Sequence, residues 1–277
     1  MTDHAADETD KKVRDWWSTE IIDMKPGEIR YRGYAVEELI GNIGLAQMIW
    51  LMLRGDLPSQ GQAALLEAAL MSAVDHGPQA PSIAIARMAV TCGVGLNNAM
   101  ASAVNTLGDV HGGAVEQAVE FYHSIETEQK NSANLVAATA NTLDAFFAGG
   151  QKHVPGFGHR FHPVDPRAPR LLELVDQAAE AGDVSGVFAT IGRSVEAALE
   201  ERKGRRIPMN IDGATAVVYA ELGIPAPLAR GLFCLSRLVG ILAHAWEQTQ
   251  EGGRNKGPIP RNMLPTYTGK PPRKLET

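Results

Sequence analysis

The chain has 277 residues, 44% hydrophobic and 21% charged, so it can bury a sizeable core and is not an intrinsically disordered sequence. Asp and Glu number 32 against 26 Lys and Arg, a formal charge of −6, which argues against a nucleic-acid coat or a basic membrane binder and toward small-molecule partners. Only Cys92 and Cys234 occur, both in apolar helical patterns, which excludes a disulfide scaffold or a Cys-rich zinc site and favours a reducing, cytoplasmic compartment.

Residues 1–12 are polar and acidic where a secretory segment needs an apolar stretch, and are expected to form a disordered arm. The one short strand candidate is Glu28 to Tyr34, with Pro26-Gly27 before it and Gly33 near its end, enough for a small hairpin or edge element. Apolar residues then recur at helical spacing: Val36 to Ile43, Ala46 to Leu51, and Leu65 to Leu70 after the Pro58-Ser59 start signal. The pattern continues over Ile83 to Leu107, Ala114 to Ile125, Ala133 to Phe147, Pro166 to Ala181, Val184 to Arg202, Gly213 to Leu222 and Pro225 to Gln248. Period-two alternation is nearly absent, so the class is all-α.

The stretch Ile83 to Gly108 is crowded with Ala, Gly, Ser and Thr, which suits either a subunit interface or an ordinary core helix, since small residues let helix backbones approach closely. Ala226 to Trp246 is the most apolar helical candidate, but Arg230, Arg237 and His244 interrupt it, and a membrane span is not expected. From Gly252 to Thr277 the composition turns to Pro, Gly and basic residues, an extended tail that is either a solvated end or an arm for an anionic ligand.

Three His or Asp positions sit beside glycine at expected helix entrances. In Asp109-Val110-His111-Gly112-Gly113-Ala114 the histidine precedes a helix whose positive end disfavours imidazolium, so a neutral ring could donate to a developing enolate oxygen; capping or packing is the alternative. In Pro155-Gly156-Phe157-Gly158-His159 the glycines permit irregular backbone and close approach of a ligand, with His159 presented from the loop. His153 and His162 lie nearby, but no carboxylate or third ligand stands at a standard metal spacing, and no metal is expected. In Asn210-Ile211-Asp212-Gly213 the aspartate is either a helix N-cap or a base made more basic by partial burial. Arg237, within Leu232 to Gly240, needs an anion, which is either an internal carboxylate or a bound substrate carboxylate; Arg167 after Asp165-Pro166 poses the same choice.

Together these motifs resemble the citrate synthase family, in particular its short members similar to citryl-CoA lyase and the lyase module of ATP-citrate lyase. The resemblance runs from Gly27 to Tyr34 and Glu37-Glu38-Leu39 through Asp75-His76-Gly77-Pro78, His111 to Ala114, Gly156 to Arg160, Asp165-Pro166-Arg167, Asn210 to Gly213 and Ser236-Arg237. It implies an all-α homodimer or higher oligomer, with a large domain (1–113 and 214–277), a small domain (114–213) and the active site in their cleft. His111 would stabilise the enol of acetyl-CoA, Asp212 would remove the methyl proton, and His159 would hydrogen-bond the oxaloacetate carbonyl. His76, Arg167 and Arg237 would hold oxaloacetate or citrate carboxylates, with Arg261 in Ile259-Pro260-Arg261 reaching the partner subunit's site. Coenzyme A, a substrate and not a tightly bound cofactor, would be met by Lys152, Gly156, Gly158 and Arg160.

Only one helix, about Gln60 to Val74, separates Leu57-Pro58 from Asp75-His76, where full-length synthases carry several more. Short size and Asp75-His76-Gly77-Pro78 match the lyase-like branch, whereas His111 completes the set of a synthase. Three functions stand in competition: an enzyme forming or cleaving the bond between acetyl-CoA and oxaloacetate through citryl-CoA, a related condensing enzyme such as 2-methylcitrate synthase, and a noncatalytic acyl-CoA or dicarboxylate binder. A metal-dependent hydrolase would rest on His153, His159 and His162 alone.

Overall fold

The structure, a computed structural model, describes residues 3–159, 162–260 and 262–275. It is mostly helical. Helix α1 (Asp3–Trp16) replaces the disordered arm expected at 1–12. Asp10 stands one turn before Arg14 there, a spacing that supports a helix without a core. The single strand expected over Glu28 to Tyr34 is two strands of a three-stranded antiparallel sheet: β1 (Ile22–Lys25), β2 (Glu28–Tyr31) and β3 (Tyr34–Ala35). Arg32 and Gly33, at φ 49° and 90°, make the tight turn that cuts the expected strand.

Cα proximity divides the chain into two compact units: residues 1–73 with 114–233, and 74–113 with 234–277. The first contains the sheet and helices α2 (Val36–Leu39), α3 (Leu45–Arg54), α4 (Gln60–Ser72), α7 (Ala114–Gln129), α8 (Leu135–Ala148), α9 (Arg167–Glu180), α10 (Val187–Lys203) and α11 (Ile211–Glu221). At its centre is α11, which packs against α4, α7, α9 and α10. A helix apolar on all sides belongs inside, and residues 213–220 of α11 are all buried. Only Asp212, in its first turn, breaks the run.

The second unit is a small helical layer of α5 (Pro81–Thr91), α6 (Leu96–Val104) and the later part of α12 (Ala226–Glu251). The single helix expected over Ile83 to Leu107 is broken at Cys92 to Gly95, where Gly93 takes φ 89°, and the two halves fold back on each other. Alanines 86, 99, 103 and 245 interlock there with Ile83 and Ile241, so the small residues build a core within the subunit. Among the described residues α12 is the one helix long and apolar enough to cross a membrane; its Arg237 is only 5% exposed and its Arg230 pairs with Glu116 of α7. Beyond α12 no described residue forms a helix or strand, and the start of the tail is tied to α5 by Asn255 N–H donating to Thr91 O (2.8 Å).

Candidate active site

In the first unit three motifs far apart in sequence form one bonded assembly. Asn210 N–H donates to Gly156 O (2.9 Å) and Gly158 N–H to Pro208 O (2.8 Å), so the loops before His159 and Asp212 run side by side. Gly156 has φ 85°, and a Cβ there would stand 2.6 Å from the Cα of Gly213. The two glycines therefore permit the glycine loop to lie directly on the first turn of α11.

Asn210, not Asp212, caps α11. Its Oδ1 accepts the Asp212 and Gly213 N–H groups at 2.9 and 3.2 Å, while its Nδ2 donates to Gly158 O at 2.6 Å. One amide thus fixes both the histidine loop and the helix start, and the capping alternative for Asp212 is overturned because the cap position is filled two residues earlier. The half-buried Asp212 carboxylate is left to a role other than capping.

Arg167 finds the internal anion. Its Nε and Nη2 donate to the two oxygens of Asp165, each at 2.9 Å, and its Nη1 donates to Ser72 O at 3.2 Å. Asp165 is 1% exposed and also accepts the Arg167 and Ile211 backbone N–H groups. Burial pushes its carboxyl pKa up, but these hydrogen bonds and the guanidinium outweigh burial and hold it below the usual value. Toward the described residues three of the five guanidinium N–H groups are committed, which leaves two.

His159 is half-buried, and its Nδ1 accepts the His162 N–H at 3.0 Å. The ring proton therefore sits on Nε2, an assignment that follows from the donor. Burial lowers its pKa; Asp165 opposes that, and His162 and Arg167 add to it, so the neutral form is favoured. Among the described residues no three His, Cys, Asp or Glu groups come together as a metal site, and His153 lies on a different recess. That recess, about 170 Å³, brings Lys152 together with His153, Lys203 and Arg205 over apolar Phe147 and Phe157, a cationic pocket that sequence reading found only through Lys152.

The second unit places His111, His76 and Arg237. Gly112 takes φ 93° and a Cβ on Gly113 would meet the Asp109 backbone at 2.7 Å, so the glycines permit the tight turn that presents His111. Its Nε2 accepts the Ser82 N–H (3.2 Å) and lies 3.0 Å from Ser82 Oγ. The donor on offer is therefore Nδ1–H. The helix end that meets this ring is that of α5, whose unsatisfied first-turn N–H groups include Ser82; the sequence pointed to α7. Burial first, then Arg237, lowers the His111 pKa and keeps it neutral. His76 lies in the Asp75-to-Pro78 turn, where Gly77 has φ 82°. Arg160 and Arg261 lie outside the described residues.

Fold and loops define a mostly helical scaffold that presents neutral imidazole donors from glycine-rich turns. The model for the citrate synthase C-terminal domain matches residues 13–71 and 60–261, and the chain belongs to the citrate synthase family. Citrate synthase of Acidithiobacillus ferridurans is 31% identical over 233 residues, 80% of this chain and 55% of that protein; that of Haloferax volcanii is 31% identical over 203 residues, 72% and 50% respectively. The chain thus spans about half the length of these curated relatives. A similar structure of matching size is citryl-CoA lyase from Hydrogenobacter thermophilus, with TM-score 0.82 and 31% identity over 94% of this chain and 97% of that one. Citrate synthase from Thermoplasma acidophilum, in its ternary complex with carboxymethyl coenzyme A and oxaloacetate, has TM-score 0.64 and 25% identity over 83% of this chain and 59% of that one.

Proposed function

We propose that this protein makes and breaks the carbon–carbon bond between acetyl-CoA and oxaloacetate through citryl-CoA, with cleavage of citryl-CoA the favoured direction. The reading is carried by the hydrogen bonds within each unit: in the first, a neutral His159 with its proton on Nε2 and an Asp212 carboxylate that does not cap its helix, and in the second, a neutral His111 with its proton on Nδ1. Asp212 takes a proton from the thioester methyl group, while His111 Nδ1–H stabilises the oxygen of the enol. The enol carbon attacks the oxaloacetate carbonyl, whose developing alkoxide is held by a hydrogen bond from His159 Nε2–H and takes up a proton from solvent, giving citryl-CoA, while Asp212 later releases the methyl proton to solvent. Cleavage runs these steps in reverse: the citryl hydroxyl gives its proton to solvent while His159 Nε2–H holds the alkoxide, the carbon–carbon bond breaks, and Asp212, protonated from solvent, gives its proton to the enolate carbon. His76, Arg237 and the two uncommitted N–H groups of Arg167 hold the diacid, with Arg261 as a further anion contact.

Coenzyme A, as substrate, lies along Gly156 and Gly158, with its phosphates at Lys152, Arg160 and the adjoining Lys203 and Arg205. The structural likeness to a citryl-CoA lyase, at TM-score 0.82 and 31% identity, supports cleavage. We further propose a homodimer in the cytoplasm. Leu235, Val239, Leu242 and Trp246 are all exposed on α12 at heptad-like spacing, a seam suited to a second copy of the same helix.

Purified protein given citryl-CoA is expected to release acetyl-CoA and oxaloacetate, and Asp212→Asn to lower that rate about 10²–10⁴-fold while CoA binding persists. Free CoA and citrate from acetyl-CoA and oxaloacetate, with no citryl-CoA cleavage, would shift the assignment to a synthase. Activity only with propionyl-CoA would point to the methylcitrate reaction. Binding without turnover in either direction would leave a binding protein.

A further inference from the structure

We propose that His244 is a positioning residue that latches the Asp75-to-Pro78 turn to α12 and so holds His76 in register with Arg237. The proposal rests on the reading that His76 and Arg237 bind the diacid, and it deepens that reading by naming what orients one of them.

Positions 237, 240 and 244 follow one another along a single face of α12. At Gly240 the chain before the turn lies directly on the helix: Gly240 N–H donates to Val74 O at 3.1 Å, and a Cβ there would stand 3.0 Å from Asp75 Oδ1 and closer still to Val74 O. One turn further on, His244 Nε2 lies 3.2 Å from Asp75 Oδ1. Its other nitrogen, Nδ1, faces Arg87 Nη1 at 3.3 Å. A guanidinium can only donate, so Nδ1 accepts, the ring proton is on Nε2, and His244 donates to Asp75. Arg87 is held in turn by Glu247 (2.5 Å) and Glu251 (2.9 Å), the next turns of the same helix.

The second oxygen of Asp75 accepts the Gly77 N–H at 3.1 Å. One carboxylate therefore bridges the helix and the turn that carries His76. Burial raises the Asp75 pKa, but the hydrogen bonds from Gly77, His244 and the His76 backbone outweigh it and keep the bridge ionised. Arg237, two turns before His244 on the same helix, is buried at a fixed place, so a latch at 244 sets where His76 stands relative to it.

The test compares wild type, His244→Ala, His244→Gln and Asp75→Asn in the full-length protein. Two measurements are made: amide hydrogen exchange of Gly77, and the separate KM values for oxaloacetate and acetyl-CoA, or for citryl-CoA and free CoA affinity. His244→Ala is expected to speed Gly77 exchange at least tenfold and to raise the diacid or citryl-CoA constant about tenfold, the scale of a lost hydrogen bond to a charged group. Acetyl-CoA KM and free CoA affinity should move less than twofold. Gln, which retains a donor near Nε2, should restore both quantities, and Asp75→Asn should repeat the Ala pattern. Unchanged Gly77 exchange in both His244→Ala and Asp75→Asn overturns the latch. So does an equal rise in both substrate constants that Gln fails to rescue, which marks a merely structural residue. Wild type that neither makes nor cleaves citryl-CoA overturns the functional reading instead, and the Gly77 exchange then still decides the latch.

Discussion

The two imidazoles that act as donors in the proposed chemistry have their tautomers set by a peptide N–H, Ser82 for His111 and His162 for His159. A backbone donor cannot rotate away or change charge, so these rings present one N–H each across the range where both are neutral. Burial lowers both pKa values from the ordinary histidine value near 6.5. The stabilisation this implies is present above that value and is lost as pH falls through the lowered ones, where the folded protein must take up protons. Citryl-CoA cleavage is accordingly expected to be flat near neutrality and to fall on the acid side with an apparent pKa below 6.5, read from kcat against pH. A fall already centred above 6.5 would rule out neutral His111 and His159 as the donors. Asp165 and Asn210, which sequence reading passed over as flanks of Arg167 and Asp212, are the residues that bind these loops together. Their only signals in the sequence are an acid two positions before an arginine and an Asn two positions before the Asp.

At the scale of elements, the glycine loop and α11 are joined by backbone contact. Gly156 meets Gly213 with no room for a side chain, whereas a Cβ on Gly158 would find only Ile207 Cγ2 at 3.4 Å, an ordinary contact. Both glycines have positive φ, so both alanine variants carry backbone strain, but only Gly156→Ala also forces two main chains apart. Gly156→Ala is expected to be about 1–3 kcal/mol less stable than Gly158→Ala in urea denaturation, the usual scale of overpacking. Equal losses would mean that the loop stands off α11. The helices themselves were legible from apolar periodicity, since most have one face toward a core. The break between α5 and α6 was not, because the small residues on either side of Gly93 continue the helical composition while the turn needs only one residue of positive φ.

For the whole molecule, α12 carries a seam of exposed apolar side chains among the described residues. Leu235, Val239, Leu242 and Trp246 are between 40% and 59% exposed. Single exposed apolar residues are common on folded proteins, but four at this spacing on one helix form a stripe. Wild type is expected to run as a dimer by light scattering, and Val239→Asp to shift it toward the monomer mass, since a charge at the centre of such a seam is left desolvated. A monomeric wild type, or a Val239→Asp variant of unchanged mass, would place the interface elsewhere.

What the sequence determined by itself is what short-range pattern encodes: the helical class, the glycine turns, and the residue types offered at them. The family resemblance was carried by those same local motifs, and the match over residues 13–261 bears it out. What only the tertiary structure decided is which atom each side chain uses and for what. Asn210 took the cap from Asp212, Asp165 took the fork of Arg167, α5 replaced α7 at His111, and His244 met Asp75. The first two are contacts between residues two apart, fixed in place by longer bonds from Asn210 to Gly158 and from Ile211 to Asp165 across 52 and 46 residues, and the other two join residues far apart in the chain, between groups whose propensities are the same whether or not they meet. Hydrogen bonding requires a partner within about 3 Å and in line, and only the packed chain supplies that.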